Sequence, residues 1–337
     1  MKPVKIVVLI LFILLVSLSC TKEPEKEEAK WDLTICDTDY FYQMISVADD
    51  QTFYIYGYKL NDNNTGLINT LIQSENRGNT WQTLAITKPM LQTTPWTSLS
   101  FTDRHTGLLV AGSMLFKTID SGLNWRKVES ETGQFHRIIK NNGRYFAFGN
   151  SPFKTSDDHG EQWSTNQCQP TQVSSMAFID DHSGFASSIE GLYMTRNNGT
   201  DWELVSQTQG AFKEISFADQ DHGIAIRLKS LGPHAMPDTH VYITNDGGKS
   251  WSDIMLKETT DAGQDTNTSL LYVRPGLAYI GCVNAIYKGP GDDNNWLKDY
   301  DGTVYGGGLW VRSIRKSQGL AIACGWGGSI LMKKAEK

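Results

Sequence analysis

Apolar residues alternate with polar ones in short stretches, each of which runs into a turn that contains glycine. Three such stretches and their glycines are Leu99–Asp103 with Gly107, Met176–Asp180 with Gly184, and Ile215–Asp219 with Gly223. A period of two, followed by a turn and a second short apolar stretch, is typical of a half-buried β-hairpin. The pattern therefore predicts a chain built from short antiparallel strands.

A histidine stands just before the glycine in each of these hairpins, at His105, His182 and His222. A catalytic histidine rarely occurs three times in register. The repetition therefore favours a packing role in the turn.

An eight-residue phrase, Ser/Thr-x-Asp/Asn-x-Gly-x-x-Trp, recurs five times along the chain. Its copies place these residues at Ser74, Asn76, Gly78 and Trp81; Thr118, Asp120, Gly122 and Trp125; Ser156, Asp158, Gly160 and Trp163; Thr195, Asn197, Gly199 and Trp202; and Thr244, Asp246, Gly248 and Trp251. The hydroxyl and the carboxylate or amide are suited to cap backbone N–H groups inside a turn, and glycine accepts a positive φ. The tryptophan buries a large ring over the turn as the next strand begins. We therefore interpret these residues as structural.

The tryptophans of the five copies recur every 38 to 49 residues, and a degenerate sixth copy ends at Trp296. This period with four short strands per repeat predicts a β-propeller. After Trp296 the chain holds a last inner hairpin, Val311–Cys324 and Ser329–Lys333, without a following copy of the phrase. Residues 31–36 have the form of the segments that follow the phrase elsewhere. We therefore predict an all-β, seven-bladed propeller over residues 31–337, with four-stranded antiparallel blades and an N-terminal strand that completes the last blade.

The repeated phrase resembles the Asp-box (BNR) repeats of sialidase-type propellers. Together with the preceding Phe-x-Asp…Gly hairpins it is most similar to the photosystem II stability/assembly-factor family, over about residues 31–333. This resemblance implies a seven-bladed propeller that acts as a scaffold for another protein. It also implies that ligands meet the face opposite the repeated turns, where blade-connecting loops lie.

Aligned inner strands place an aromatic residue at one equivalent position in five of the seven blades, with basic residues close by. The aromatic residues are Tyr42, Trp96, Phe135, Phe212 and Trp310, and the basic residues are Arg137, Lys213 and Arg312. One hypothesis is an aromatic and basic rim around the channel mouth that grips an anionic or extended partner. The alternative is that the rings pack between neighbouring blades.

Irregular loops on a stiff ring are a second place where function is expected. The longest lie at 59–65, 228–237, 256–268 and 298–308. The Asp/Asn-rich stretches 61–64 and 292–295 raise the possibility of calcium, but neither has EF-hand spacing, so no metal and no cofactor is predicted.

The enzymatic alternative is a sialidase-like glycoside hydrolase, or else a carbohydrate-binding propeller. Glycoside hydrolysis generally needs two carboxylates across a cleft. Glu214, Asp299 and Asp301 are expected near the mouth, but the sequence does not indicate a pair. The arginine phrase Val273-Arg274-Pro275 falls in the sixth blade instead of before the first repeat, where sialidases carry theirs. A non-catalytic binding role is therefore favoured.

Composition agrees with an aromatic-rich β protein and excludes several classes. The 337 residues include 31 Gly, 10 Trp, 13 Tyr and 13 Phe, with 39% hydrophobic and 20% charged residues. A core can therefore form, and wholesale disorder is excluded. The formal net charge of −6 argues against a nucleic-acid partner, because such proteins carry a basic footprint.

The first 19 residues form a predicted lipoprotein signal peptide, with Lys2 and Lys5 before an apolar run from Ile6 to Val16. This run is too short to span a bilayer. The phrase that ends at Cys20 resembles a lipobox, in which this cysteine becomes the lipidated N-terminus. Residues 20–30 then read as a charged tether. We expect an exported, outer-membrane-anchored monomer, periplasmic or surface-facing, that engages an envelope protein or glycan.

Four further cysteines, Cys36, Cys168, Cys282 and Cys324, show neither CxxC nor metal-like spacing. Export permits disulfides between them. Because Cys is often simply a core residue, free thiols are the favoured interpretation.

Overall fold

The computed structural model describes residues 30–112, 114–128, 135–150, 152–165, 170–208, 210–229, 238–254, 269–282, 284–290, 295–302 and 310–334. The predicted signal peptide and Cys20 lie outside these residues. The described chain folds into seven four-stranded antiparallel sheets.

The strands follow one another blade by blade after β1 (Asp32–Ile35). Blade 1 comprises β2 (Phe41–Val47), β3 (Phe53–Leu60), β4 (Leu67–Ser74) and β5 (Gln82–Leu84). Blade 2 comprises β6 (Trp96–Phe101), β7 (Gly107–Ala111), β8 (Met114–Thr118) and β9 (Arg126–Lys127). Blade 3 comprises β10 (Phe135–Asn141), β11 (Arg144–Gly149), β12 (Lys154–Ser156) and β13 (Ser164–Thr165).

The second half of the ring repeats this order. Blade 4 comprises β14 (Val173–Phe178), β15 (Gly184–Ser188), β16 (Leu192–Thr195) and β17 (Glu203–Ser206). Blade 5 comprises β18 (Glu214–Phe217), β19 (Gly223–Lys229), β20 (Asp238–Thr244) and β21 (Ser252–Ile254). Blade 6 comprises β22 (Ser269–Arg274), β23 (Leu277–Cys282), β24 (Ala285–Gly289) and β25 (Leu297–Asp301). Blade 7 comprises β26 (Val311–Ser317), β27 (Leu320–Gly325), β28 (Ser329–Lys334) and β1.

The seventh blade takes its outer strand from the other end of the chain. β1 pairs antiparallel with β28, with Asp32 opposite Met332 and Ile35 opposite Ser329. The first strands of neighbouring blades contact one another around the ring, including β26 with β2. The predicted seven-bladed propeller and its closure by the N-terminal strand are therefore confirmed.

A buried ion pair fixes this closing strand to blade 6. The ammonium group of Lys333 in β28 is 2.8 Å from both carboxylate oxygens of Asp299 in β25, and the Lys333 side chain is only 1% exposed. The indole N–H of Trp31 donates to the same carboxylate at 2.6 Å, and its ring meets Tyr279 edge-on. One acidic side chain of blade 6 thus holds the outer two strands of blade 7.

Four of the five repeated turns share one hydrogen-bond pattern, illustrated by the second copy, and the first copy lacks only its indole bond, since the Trp81 indole N–H has no partner among the described residues. The Thr118 hydroxyl accepts from the Gly122 N–H at 3.0 Å, and Asp120 accepts from the Asn124 N–H at 2.8 Å. The indole of Trp125 donates to the Gly122 carbonyl. Gly122 has φ +90°, and a Cβ there would lie 2.8 Å from Leu71 of blade 1. The glycine therefore serves two purposes, a left-handed turn and close packing on the preceding blade.

The upstream hairpin motif also has a structural explanation. Phe101 stands opposite Gly107 across β6 and β7, and its ring covers the space where a Cβ would stand. Asp103 accepts from the N–H groups of His105 and Thr106, both at 2.7 Å, which closes the turn. The His105 ring lies 3.0 Å from the Ser121 hydroxyl in the next turn.

Serine hydroxyls join the inner strands of adjacent blades. Ser98 in blade 2 accepts from the Ile138 N–H of blade 3 at 3.0 Å, and Ser175 in blade 4 accepts from the Ile215 N–H of blade 5 at 3.2 Å. Ser269 in blade 6 accepts from the Ile314 N–H of blade 7 at 3.1 Å. These bonds give side-chain partners to backbone groups that face the neighbouring sheet.

The structure adds one element and corrects the start of three expected loops. A single-turn helix, α1 (Pro89–Thr93), connects blades 1 and 2, and its Leu91 carbonyl accepts from the Trp96 indole. Among the described residues, no helix has the length and apolar character needed to cross a bilayer. The loops expected at 59–65, 228–237 and 298–308 begin later, because residues 59–60 belong to β3, 228–229 to β19 and 298–301 to β25.

None of the three described cysteines forms a disulfide bond. Cys36 is exposed, whereas Cys282 and Cys324 are buried. Burial raises the pKa of the Cys324 thiol, since the thiolate would lose its hydration. Cys168 lies outside the described residues.

Asp299→Ala should destabilise the fold by about 3–5 kcal/mol, because it leaves the buried Lys333 ammonium without its partner. Adding Lys333→Met should recover much of that loss, since the uncompensated charge is then removed. Urea unfolding of the two variants and the wild type measures both effects. Equal stability of the single variant and the wild type would contradict the proposed role of this ion pair in ring closure.

Candidate functional site: the central channel

A cavity lies along the axis of the ring. It has a volume of about 720 Å³ and is lined by first strands of blades 1, 2, 3, 5, 6 and 7. Each first strand forms one edge of its sheet, and consecutive residues of these strands border the cavity. The channel is therefore the candidate ligand site.

The channel wall is strongly basic although the protein as a whole is acidic. Its ionisable lining residues are Arg137, Lys140, Lys213, Arg312, Arg315 and Lys316, with Glu214 as the one carboxylate among the described lining residues. Blades 3, 5 and 7 supply all of them. The wall thus carries six cationic groups against one anionic group, in a chain of formal net charge −6.

Three of these groups interact across the channel. Arg315 lies 3.9 Å from the Glu214 carboxylate, and a guanidinium N–H of Arg137 donates to the Lys213 carbonyl at 3.4 Å. Burial lowers the pKa of Arg137, the Glu214 carboxylate opposes this shift, and the Arg315 charge adds to it. Arginine nonetheless stays protonated in proteins. Two cations therefore share one carboxylate, which leaves an excess of positive charge.

The structure shows that the predicted aromatic rim is mostly core. Tyr42, Phe135 and Phe212 are each 1% exposed and Trp96 is 5% exposed, so these four rings pack within and between blades. Trp96 stacks on Tyr56 with ring centroids 4.7 Å apart. Tyr42, Trp96 and Phe135 hold the equivalent position before the bulge of each first strand, as predicted, but blade 7 has Val311 there, so Trp310 lies one residue out of the predicted register.

Trp310 is the exception, and it belongs to a cluster that sequence reasoning missed. Its ring stacks on Trp326 at 4.1 Å, and Trp326 in turn contacts Phe41 at 4.8 Å; all three rings are half-buried. The Arg312 guanidinium lies 5.5 Å from the centroid of Trp310 and 5.8 Å from that of Trp326. Since Arg312 also lines the channel, it joins the aromatic cluster to the basic wall.

The acidic residues expected near the mouth do not come together. Glu214 lies in the first strand of blade 5, whereas Asp299 and Asp301 lie in β25, the fourth strand of blade 6. Asp299 is occupied by Lys333 and Trp31. These residues therefore do not supply the facing carboxylates that glycoside hydrolysis generally uses.

Within the described part of the chain, no group of three or more His, Cys, Asp or Glu side chains is arranged to hold a metal ion. In the loop at 61–64, the Asn61 side chain accepts from the N–H groups of Thr65 and Gly66. Residues 292–294 of the second candidate loop lie outside the described residues.

Comparisons with known proteins identify the fold. No protein-family profile and no curated protein matches the chain. Among solved structures, YCF48 bound to D1 peptide aligns at 16% identity and TM-score 0.64, over 92% of this chain and 97% of that one. A GH74 xyloglucanase from Xanthomonas campestris aligns at 14% identity and TM-score 0.56, over 84% of this chain and 51% of that one.

A third similar structure is the extracellular domain of a one-component system from B. thetaiotaomicron, at 9% identity and TM-score 0.63. It covers 91% of this chain and 40% of the other. At such identities the likeness shows the propeller fold alone, and one fold hosts many activities.

Trp96→Ala should destabilise the protein by about 3–5 kcal/mol, because a buried ring stacked on Tyr56 is lost. Trp310→Ala should destabilise the protein clearly less, because the Trp310 ring is only half-buried and Trp326 still covers the end of the channel in this variant. Thermal and urea unfolding of both variants tests this order. A larger loss for Trp310→Ala would place Trp310, and not Trp96, in the core.

Proposed function

We propose that this protein is a non-catalytic scaffold of the cell envelope that captures an anionic, extended segment of a partner protein in its central channel. Arg137, Lys213 and Arg312 bind the segment's carboxylates, and the Trp310 cluster packs against its apolar part. Six cations face one carboxylate among the described residues that line the channel, and this observation carries the proposal.

Electrostatics favour such a ligand over a neutral one. Charges inside a narrow channel with low-dielectric walls act on one another more strongly than charges on an open surface. Arginine adds geometric specificity, because its planar fork matches a carboxylate with two parallel hydrogen bonds. An extended acidic chain also fits a channel with cations in three separate blades.

The peptide-bound propeller among the similar structures supports a protein ligand by analogy only. The similar fold of the xyloglucanase is compatible with the hydrolase alternative. The channel argues against it, since Glu214 is the only carboxylate among its described lining residues and two are generally needed.

Location forms the second part of the proposal. The signal-like residues 1–19 and Cys20 support export and lipidation, with residues 20–30 as a tether to the propeller. Acyl chains on Cys20 would hold the ring at an outer-membrane surface while the channel stays in water.

Arg137→Gln with Lys213→Gln should weaken binding of a fluorescent ten-residue glutamate-rich peptide at least about tenfold, since two charge-assisted hydrogen bonds are lost. Wild-type binding should also weaken as salt rises. Fluorescence anisotropy measures both effects. Lys127→Ala with Arg196→Ala, which removes two cations outside the channel, serves as the control and should bind like the wild type.

The same pair of variants identifies the natural partner in pull-downs from envelope extract, paired with a glycan array. A protein retained by the wild type and the control, and lost from the channel variant, supports the scaffold. Glycan binding without protein capture would favour a lectin or a hydrolase instead.

Cys20→Ser should abolish lipidation and release the protein from membranes, because the acylated thiol is the proposed anchor. Detergent phase partitioning and metabolic labelling with a fatty-acid analogue measure the change. Cys36→Ser, at an exposed thiol of the propeller, is the matched control. Unchanged membrane retention of Cys20→Ser would contradict the anchor and leave the channel proposal intact.

A further inference from the structure

A second cleft lies between blades 4 and 5, apart from the channel. Its volume is about 270 Å³. It is lined by Ser206, Gln207, Thr208, Phe212, Arg227, Tyr242, Lys249, Ser250 and Trp251. This lining combines two cations, four hydroxyl groups, an amide and three aromatic rings, without a carboxylate.

Arg227 occupies this cleft in an unusual state. Its guanidinium carbon lies 4.4 Å from the ring centroid of Phe212 and 5.4 Å from that of Tyr242. One N–H donates to the Gly210 carbonyl at 2.9 Å, whereas the buried Nε has no acceptor in the structure. A guanidinium offers five N–H donors, so its hydrogen-bonding capacity is largely unused.

Several cations elsewhere on the ring are paired with acids. Lys117 pairs with Glu161, Arg144 with Asp157, and Lys333 with Asp299. No described carboxylate forms an ion pair with Arg227. Asp253, on the strand after Tyr242, is engaged by the His240 ring at 2.8 Å.

The energetics favour an added anion. Burial lowers the pKa of Arg227, because its charged form loses hydration. A buried polar group without a partner costs free energy that a bound acceptor would recover. The exposed Lys249 adds a second positive charge at the same opening.

We propose that this cleft binds the carboxylate of an acidic sugar. Arg227 pairs with the carboxylate, and the side chains of Ser206, Gln207, Thr208 and Ser250 hydrogen-bond the sugar hydroxyls. The half-buried Trp251 and Tyr242 rings form the apolar side of the cleft. A single inorganic anion would leave most of these groups unused, since apolar and aromatic walls with a few polar groups suit an organic ligand.

The inference is independent of the channel. The two cavities share no lining residue. Substitutions at Arg137 and Lys213 should therefore leave acidic-sugar binding unchanged, and failure of either proposal does not affect the other.

Sodium galacturonate is the probe, and galactose is its neutral counterpart. Galacturonate should bind the wild type with an affinity on the order of millimolar and shift the Arg227 Nε–H signal in ¹H–¹⁵N spectra. Galactose should bind at least about tenfold more weakly, since it lacks the carboxylate. Titration calorimetry gives the two affinities.

Arg227→Met should reduce galacturonate affinity at least about tenfold, and Arg227→Lys should restore only part of it, because lysine lacks the fork. Arg196→Met, which removes an exposed arginine of blade 4, is the matched control and should bind like the wild type. Thermal melting checks that each variant is folded.

Several results would overturn the proposal. One is that galactose binds as tightly as galacturonate does. Another is that inorganic phosphate or acetylglutamate binds more tightly than galacturonate. A third is that a folded Arg227→Met variant binds galacturonate with unchanged affinity. An unmoved Arg227 Nε–H signal at saturating galacturonate would also overturn it, even if the methionine variant failed to fold.

Discussion

The antiparallel pairing of β1 with β28 is the contact on which the ring depends. Without it, β28 would present an open edge, and blade 7 would have three strands while its neighbours have four. The Asp299 carboxylate reinforces the pairing, since it binds a side chain just before β1 and another in β28. Closure therefore joins the two ends of a long chain through one short strand and one buried ion pair.

Between neighbouring blades the repeated residues set the spacing. Each phrase glycine lies where a Cβ would meet an apolar side chain of the blade before it, Met332 for Gly78 and Phe146 for Gly199 among them. Serine hydroxyls do the same for the inner strands through hydrogen bonds to Ile138 and Ile215. Because repeated positions are committed to packing, residues that do not repeat are the ones available for ligands.

The sequence was sufficient to predict the structural features that repeat from blade to blade. It was insufficient to predict those that occur only once. Blade number and ring closure could be predicted, because strand alternation recurs around the ring and the phrase occurs in five blades, with a degenerate copy in a sixth. Alignment also placed Tyr42 and Trp96 at equivalent positions, but equivalence says nothing about exposure, and both are buried. The Lys333–Asp299 pair joins residues of different blades, so no local sequence pattern could predict it. One sequence feature could have pointed to Arg227, namely a charged residue that follows the apolar start of β19.

A concentration of positive charge among the described residues separates the functional candidates from the scaffold. An acidic protein gains nothing in stability from six cations around one narrow channel, since like charges repel more strongly where solvent is scarce. Arg137 is also desolvated, and Arg315 shares with it the single carboxylate of Glu214. Arg227 is held between rings with a buried Nε that has no acceptor. Function is expected at groups whose retention lowers the stability of the folded state. In both the channel and the Arg227 cleft, a carboxylate from outside the chain would compensate the positive charge.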